Sequence, residues 1–117
     1  MQWQTKEQLT SLLISLVQHG SITLSSDEMK LANYIYEKLQ SLYYFQTKKD
    51  QLQLNKMDDG RAFVSALYKH PEATETIVLL SHFDVVGVED YGLLKEYAFR
   101  PVELTAKLHE YSGSFPK

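Results

Sequence analysis

The sequence has 117 residues, enough for one domain with a single core and too few for two. Hydrophobic residues make up 44% and charged residues 23%, a balance typical of globular proteins and not of disordered or fibrous ones. The formal net charge of −3 gives no electrostatic reason to expect nucleic acid or an anionic membrane as a partner. No stretch is apolar over the length that a bilayer requires.

Cysteine is absent, which excludes disulfide frameworks and zinc sites built from thiolates. A metal site would therefore have to use His, Asp and Glu side chains. The first seven residues are polar and lack the basic-then-apolar order of a secretory signal. These features predict a cytoplasmic protein.

Two helices are predicted at the start of the chain. The first runs from Thr5 to about His19, with a capping box formed by Thr5 and Gln8 and an end at Gly20. The second runs over residues 26–43 after a second capping box. The capping residues of the second helix are Ser25 and Glu28, and its apolar stripe is Leu31, Ile35, Leu39 and Leu42. Both apolar stripes are expected to pack in the core.

The middle of the chain changes to the periodicity of strands. Leu52 and Leu54 alternate with polar residues, and residues 62–68 form a second β-like run. Asp58, Asp59 and Gly60 lie between these runs, a sequence typical of a hairpin turn.

Residues 76–80, called here the apolar segment, form the most apolar run of the chain and are predicted to be a strand buried on both faces. Short helices are expected near residues 91–97 and 101–110, the second with proline in its first turn. The predicted fold class is α/β, with two N-terminal helices packed on a small mixed sheet made of the hairpin and the apolar segment.

His82 and Asp84 follow directly after the apolar segment. α/β proteins tend to place functional groups at the ends of buried strands. The i, i+2 spacing puts both side chains on one side of an extended chain. A neutral imidazole binds zinc well when its other ring nitrogen donates to a carboxylate that fixes the tautomer. The pair therefore suggests a metal ligand with its orienting carboxylate.

The stretch of residues 76–86, an apolar strand followed by Ser and then His-x-Asp-Val-Val, resembles the signature of a dinuclear-zinc family of peptidases and deacylases. This family includes glutamate carboxypeptidase, aminoacylase and succinyl-diaminopimelate desuccinylase. Residues 88–92 and 98–101 look most like its arginine-utilisation branch, and the order of the two leading helices is similar as well. The resemblance covers nearly the whole chain, although only the His-x-Asp block is specific.

The resemblance implies that His82 is a ligand of one zinc ion and that Asp84 is the catalytic-site carboxylate that clamps its imidazole. The family hydrolyses amides of peptides or acyl-amino acids. Its Gly-Arg-Gly-x-x-Asp-Met-Lys block, catalytic glutamate and final histidine find no counterpart in this sequence. Residues 1–117 are therefore expected to be a single N-terminal portion of a metallo-hydrolase catalytic domain, inactive alone and weak in zinc binding.

The alternative is a non-catalytic interaction or assembly module that keeps the family's N-terminal fold. Under either reading, an apolar segment without its neighbours predicts self-association, because uncovered strand edges and apolar patches favour pairing with another chain. A symmetric homodimer is the expected form. The remaining histidines, His19, His70 and His109, are dispersed and are interpreted as surface residues.

Overall fold

The computed structural model describes residues 3–111. Its helices and strands are α1 (Lys6–Val17), α2 (Ser26–Gln40), α3 (Tyr43–Thr47), β1 (Leu52–Lys56), β2 (Ala62–Ala66) and α4 (Pro101–Glu110). They fall into two compact units, one made of the described residues of Met1–Gly20 and Val86–Lys117 and the other of Ser21–Val85. The combination of helices with a small sheet confirms the predicted α/β class. The assignment of residues 1–117 to one domain stays a prediction.

In the first unit, α1 begins at the predicted capping box. The Thr5 hydroxyl accepts a hydrogen bond from the Gln8 N–H at 3.2 Å, and the Gln8 side chain accepts one from the Thr5 N–H at 3.2 Å. α1 ends at Val17, and a turn leads to Gly20, whose φ of +57° favours glycine. A Cβ atom at this position would lie 3.0 Å from the ring of Phe99, so the close contact also favours glycine. The predicted start of α1 is thus confirmed, and the helix ends two residues before the predicted end at about His19.

The rest of the first unit consists of a 3₁₀ segment, Glu89–Tyr97, followed by α4. The 3₁₀ segment is broken at Gly92, where φ is +53°. Pro101 lies in the first turn of α4, where its missing N–H removes no helical hydrogen bond. α4 packs against α1 and the 3₁₀ segment. The two helical stretches expected after the apolar segment are therefore confirmed.

In the second unit, α2 packs on both strands of an antiparallel hairpin. The core of this unit consists of Leu31, Ala32, Phe45, Leu52 and Ala62, all of which are buried. α2 ends at Gln40, earlier than predicted, and α3 follows after a short break. Of the predicted apolar stripe of α2, Leu31 is buried, together with the neighbouring Ala32, whereas Ile35, Leu39 and Leu42 are only half-buried.

The hairpin turn lies where the Asp-Asp-Gly sequence placed it. Leu54 pairs with Val64 in the register of the two strands. The Met57 N–H donates to the Arg61 carbonyl oxygen at 2.8 Å, and Gly60 has a φ of +84°. A left-handed φ costs glycine little because it has no Cβ atom, which explains its position in the turn.

The predicted capping box at the start of α2 is wrong. Ser25 is the N-cap residue, but its side chain makes no capping hydrogen bond. The Glu28 carboxylate instead accepts the N–H of Leu24, one residue earlier, at 2.7 Å. Leu24 has a φ of +64°, the one positive value among the described non-glycine residues. The other carboxylate oxygen of Glu28 pairs with Arg61, which is distant in sequence.

The prediction that the apolar segment is a buried strand is also wrong for this structure. The segment has no regular secondary structure, and Ile77, Val78, Leu79 and Leu80 are 87%, 82%, 91% and 96% exposed. A continuous apolar run becomes a buried strand only when other strands pair with it and two layers cover it. Within residues 3–111 the sheet contains β1 and β2 alone, so neither condition is met.

The stretch that contains the apolar segment is fastened to the second unit at both ends. Before it, the Lys69 N–H donates to the Tyr44 hydroxyl at 2.9 Å, and that hydroxyl donates to the Gln51 side chain. After it, the Val85 N–H donates to the Ser21 carbonyl oxygen at 2.9 Å. No helix in the described part of the chain is both long and apolar enough to cross a bilayer.

Candidate functional site

Two short backbone stretches of the second unit lie side by side and position the candidate site. Ile22 and Val85 form a parallel bridge, in which the Thr23 N–H donates to the Val85 carbonyl oxygen at 2.9 Å. The buried Ser21 hydroxyl donates to the Phe83 carbonyl oxygen at 2.6 Å. These bonds fix the backbone on both sides of Asp84.

The carboxylate of Asp84 is held by groups from two distant parts of the sequence. The Thr23 hydroxyl donates to Oδ2 at 2.8 Å, and Nη2 of Arg61 lies 3.4 Å from the same oxygen. The Thr23 hydrogen bond lowers the pKa of Asp84 below its ordinary value; desolvation opposes this shift and the Arg61 charge adds to it. Asp84 is therefore an ionised acceptor with a fixed orientation at neutral pH.

Arg61 connects Asp84 to a buried carboxylate. Its Nε and Nη2 atoms lie 2.9 Å and 2.8 Å from Oε1 of Glu28, whose side chain is almost fully buried. The hydrogen bond and the charge of Glu28 together raise the pKa of Arg61. Since Oε2 of Glu28 accepts the Leu24 N–H, both carboxylate oxygens have partners. Glu28, Arg61 and Asp84 thus form one connected polar cluster, as buried charges require.

His82 lies at the exposed end of this cluster. Its Nδ1 atom is 2.9 Å from the carbonyl oxygen of Asp84 and 3.3 Å from Oδ1 of the same residue. Both neighbours are acceptors, which favours the tautomer with the proton on Nδ1 and the lone pair on Nε2. The side chain is 85% exposed, and Nε2 has no hydrogen-bond partner within residues 3–111. The imidazole therefore presents a free nitrogen lone pair to the solvent.

The structure brings together the two side chains that the sequence singled out, and adds three that it did not. Thr23, Glu28 and Arg61 were not predicted as site residues. The pairing of Arg61 with Glu28 and Asp84 spans 33 and 23 residues, which no local pattern reveals. One signal was present: Glu28 precedes Leu31 by three positions, so a carboxylate lies in the apolar stripe of α2.

The other histidines do not join this cluster. Nδ1 of His19 lies 2.8 Å from the Ser15 carbonyl oxygen in α1, and His70 accepts the Glu72 N–H. Within residues 3–111, no group of three or more His, Asp or Glu side chains is arranged to hold a metal ion. The described residues thus provide one candidate ligand, His82, and not a complete ligand set.

The chain is similar to two longer proteins of Bacillus subtilis (strain 168). It is 48% identical over 117 residues to the uncharacterized protein YqjN, covering 100% of this chain and 21% of the relative. It is 31% identical over 113 residues to Protein RocB, covering 93% of this chain and 19% of the relative. The second match supports in part the expected likeness to arginine-utilisation proteins.

The chain spans about a fifth of the length of each of these relatives. No protein-family model and no solved structure matches it. The similarity therefore extends along nearly all of this chain, but concerns a small part of each longer protein.

Proposed function

We propose that the chain supplies the first metal ligand of a zinc-dependent amide hydrolase, a peptidase or deacylase, and is inactive by itself. His82 is the ligand, and Asp84 orients its ring. The substrate class is a peptide or an acyl-amino acid, and it would be bound only by a complete enzyme. The proposal rests on the resemblance of residues 76–86 to the family signature and on the similarity to Protein RocB.

One observation carries the proposal: Nδ1 of His82 faces two oxygens of Asp84 while Nε2 is open to solvent. Histidines that bind zinc commonly donate their second ring N–H to a carboxylate or a carbonyl oxygen. Here a single residue offers both acceptors. Thr23 and Arg61 hold the carboxylate in turn, so the ring is oriented before any metal binds.

The fit to zinc is partial. A catalytic zinc site has about three protein ligands and an open position for water, and zinc supplies an activated water molecule for hydrolysis. This chain offers one suitable nitrogen, so it does not hold the ion tightly alone. The remaining ligands would have to come from residues outside the described part, and no catalytic step is derived from the residues present.

A chimera tests the ligand role. The portion of YqjN that matches this chain is replaced by residues 1–117, and zinc content and hydrolysis of acyl-amino acids are measured. We expect His82→Ala to lower the zinc content and to abolish hydrolysis. His109→Ala on α4 is the matched control and should change neither quantity. An active chimera that keeps its zinc and activity after His82→Ala would refute the proposal.

A second candidate is a non-catalytic interaction module, favoured by the exposure of four consecutive aliphatic side chains in the apolar segment. The two candidates differ in the chimera experiment, because a module needs neither zinc nor His82. For both candidates we propose a cytoplasmic location, which fits a sequence without cysteine.

A further inference from the structure

The buried carboxylate of Glu28 is connected to Asp84 by two separate routes. From Oε1 of Glu28 the contacts run through Nη2 of Arg61 to Oδ2 of Asp84, at 2.8 Å and 3.4 Å. Oε2 of Glu28 accepts the Leu24 N–H at 2.7 Å, and this N–H belongs to the peptide bond between Thr23 and Leu24. The Thr23 hydroxyl then donates to the same Oδ2 atom at 2.8 Å. Glu28 therefore holds both groups that contact this oxygen.

The two carboxylate oxygens of Asp84 have different partners. Oδ2 contacts Thr23 and Arg61, whereas Oδ1 lies 3.3 Å from Nδ1 of His82. A carboxylate is a rigid planar group, so donors that fix Oδ2 restrict the positions open to Oδ1. The His82 side chain is largely exposed and has little packing to hold it. The orientation and the tautomer of its ring therefore depend on the acceptors that Asp84 presents to it.

The two donors to Oδ2 of Asp84 are not held equally well. The Thr23 hydroxyl has a second acceptor in reach, the Val85 carbonyl oxygen at 3.2 Å, so it can rotate away from the carboxylate. The guanidinium of Arg61 contacts Glu28 through Nε at 2.9 Å and Nη2 at 2.8 Å, which fixes its plane. Because Glu28 is buried, water competes little for these contacts. The route through Arg61 is thus the more rigid of the two.

We propose that Glu28 is a positioning residue for His82. It acts through Arg61 and Asp84 and holds the imidazole in the tautomer that has its proton on Nδ1 and its lone pair on Nε2. The role of Nε2 as the metal-binding atom rests on the proposed function. The effect of Glu28 on the ring does not, since it belongs to the metal-free chain.

Nitrogen NMR of the histidine rings in the isolated, metal-free chain tests this inference. The spectra are recorded at a pH at which the rings are neutral, where the chemical shifts of the two ring nitrogens show which of them carries the proton. His82 should have its proton on Nδ1. His70 provides an internal reference, because its Nδ1 accepts the Glu72 N–H at 3.3 Å and its proton should therefore be on Nε2.

A double variant, Glu28→Gln with Arg61→Met, removes the guanidinium without leaving a buried charge. The glutamine oxygen can still accept the backbone N–H that Glu28 accepts. We expect the ratio of the Nδ1–H to the Nε2–H tautomer of His82 to fall several-fold, while the His70 signals stay unchanged. Arg100→Met, at the other arginine of the sequence, is the matched control and should leave the ratio as it is.

Glu28→Gln alone provides a second variant. It keeps a neutral acceptor for Arg61, so it should lower the His82 ratio less than the double variant does, and it decides the question if the double variant does not fold. A proton on Nε2 of His82 in the unmodified chain would overturn the inference. An unchanged His82 ratio in the folded variants would overturn it as well.

The chimera with YqjN separates this inference from the proposed function. If His82→Ala lowers its zinc content, the double variant of Glu28 and Arg61 should weaken zinc binding about tenfold, as is usual when a group that orients a metal ligand is lost. An unchanged zinc affinity would then overturn the inference. If zinc binding does not depend on His82, the proposed function fails, and the tautomer ratio alone decides the role of Glu28.

Discussion

Arg61 is the residue that links the core of the second unit to its candidate site. On one side it neutralises the buried carboxylate of Glu28, and on the other it approaches Asp84. A buried carboxylate that loses its partner leaves an uncompensated charge, which is strongly destabilising. The cluster therefore connects the stability of the unit to the orientation of the His82 ring.

Replacement of Glu28 measures how much this cluster contributes to the free energy of unfolding. Glu28→Ala removes the acceptor for Arg61 and for the Leu24 N–H, so the free energy of unfolding should fall by about 2–4 kcal/mol. Urea unfolding followed by circular dichroism checks this value. Glu37→Ala, an exposed position on the same helix, is the control and should change little. Equal losses in the two variants would show that the cluster does not stabilise the unit.

The ionisation of Asp84 should make the stability of the fold depend on pH. Its pKa is lowered in the folded chain, first by the Thr23 hydroxyl. A lowered pKa means that the carboxylate stabilises the fold above its unfolded pKa and that this contribution is lost as the pH falls through the folded pKa. Thr23→Val should therefore raise the pKa of Asp84 and destabilise the chain at neutral pH more than in strong acid.

Carboxyl NMR titration of Asp84 and urea unfolding at several pH values measure these two effects. Thr74→Val, at an exposed position of the same residue type, is the control. An unshifted Asp84 titration in Thr23→Val would mean that the hydroxyl bonds mainly to the Val85 carbonyl oxygen, 3.2 Å away.

At the scale of elements, the features that were predicted correctly from sequence are local ones. The capping box of α1 and the Asp-Asp-Gly turn each depend on residues within a few positions of one another. The predicted box at Ser25 is not formed: Glu28 accepts the Leu24 N–H and pairs with Arg61, which is distant in sequence. The same distance explains why His82 and Asp84 could be predicted together while Arg61 could not.

Three glycines provide a graded test of backbone geometry. Gly60→Ala should cost about 1 kcal/mol of stability, because it forces a left-handed φ on alanine but meets no atom. Gly20→Ala should cost more, about 2 kcal/mol, because its Cβ also crowds the Phe99 ring. Gly87→Ala has neither problem and should be nearly neutral. Thermal unfolding gives this order, and a loss for Gly87→Ala as large as that for Gly20→Ala would contradict it.

Leu24 gives the opposite prediction, a gain in stability. A left-handed φ is unfavourable for leucine and tolerated by asparagine, and the leucine side chain is largely exposed. Leu24→Asn should therefore raise the free energy of unfolding by about 0.5–1 kcal/mol in urea titrations. Leu93→Asn, at an exposed leucine without a positive φ, should bring no gain. A gain in both variants would indicate that the removal of exposed apolar surface, and not backbone strain, is responsible.

At the scale of the whole molecule, the sequence predicted the apolar character of residues 76–80 but not their exposure. Hydrophobic periodicity indicates which residues tend to be buried. It does not show which other strands or helices cover them, because that depends on the complete fold. A similar limit applies to His82. A single metal ligand can be recognised from the residues next to it in the sequence, whereas a complete ligand set is brought together only by the fold. The site was thus predictable only for His82 and Asp84, which are two positions apart in the sequence.

The isolated chain is expected to bind zinc weakly and to lack amidase activity, because it has one recognisable ligand where catalysis needs about three. Calorimetric titration with zinc and an assay with acyl-amino acids in excess zinc check both expectations. Zinc-dependent hydrolysis that is abolished by His82→Ala would contradict this prediction and show that residues 1–117 form a complete site.

The two ends of the stretch from Lys69 to Val85 are held by hydrogen bonds, Lys69 to Tyr44 and Val85 to Ser21. These bonds do not depend on the sequence of the residues between the two ends. Loop closure depends weakly on loop length, at roughly 0.6 kcal/mol for each doubling. We therefore expect residues 74–80 to be exchangeable for a foreign peptide, such as an epitope or a protease recognition sequence, without unfolding the second unit. The second unit is in this sense a natural scaffold for peptide display.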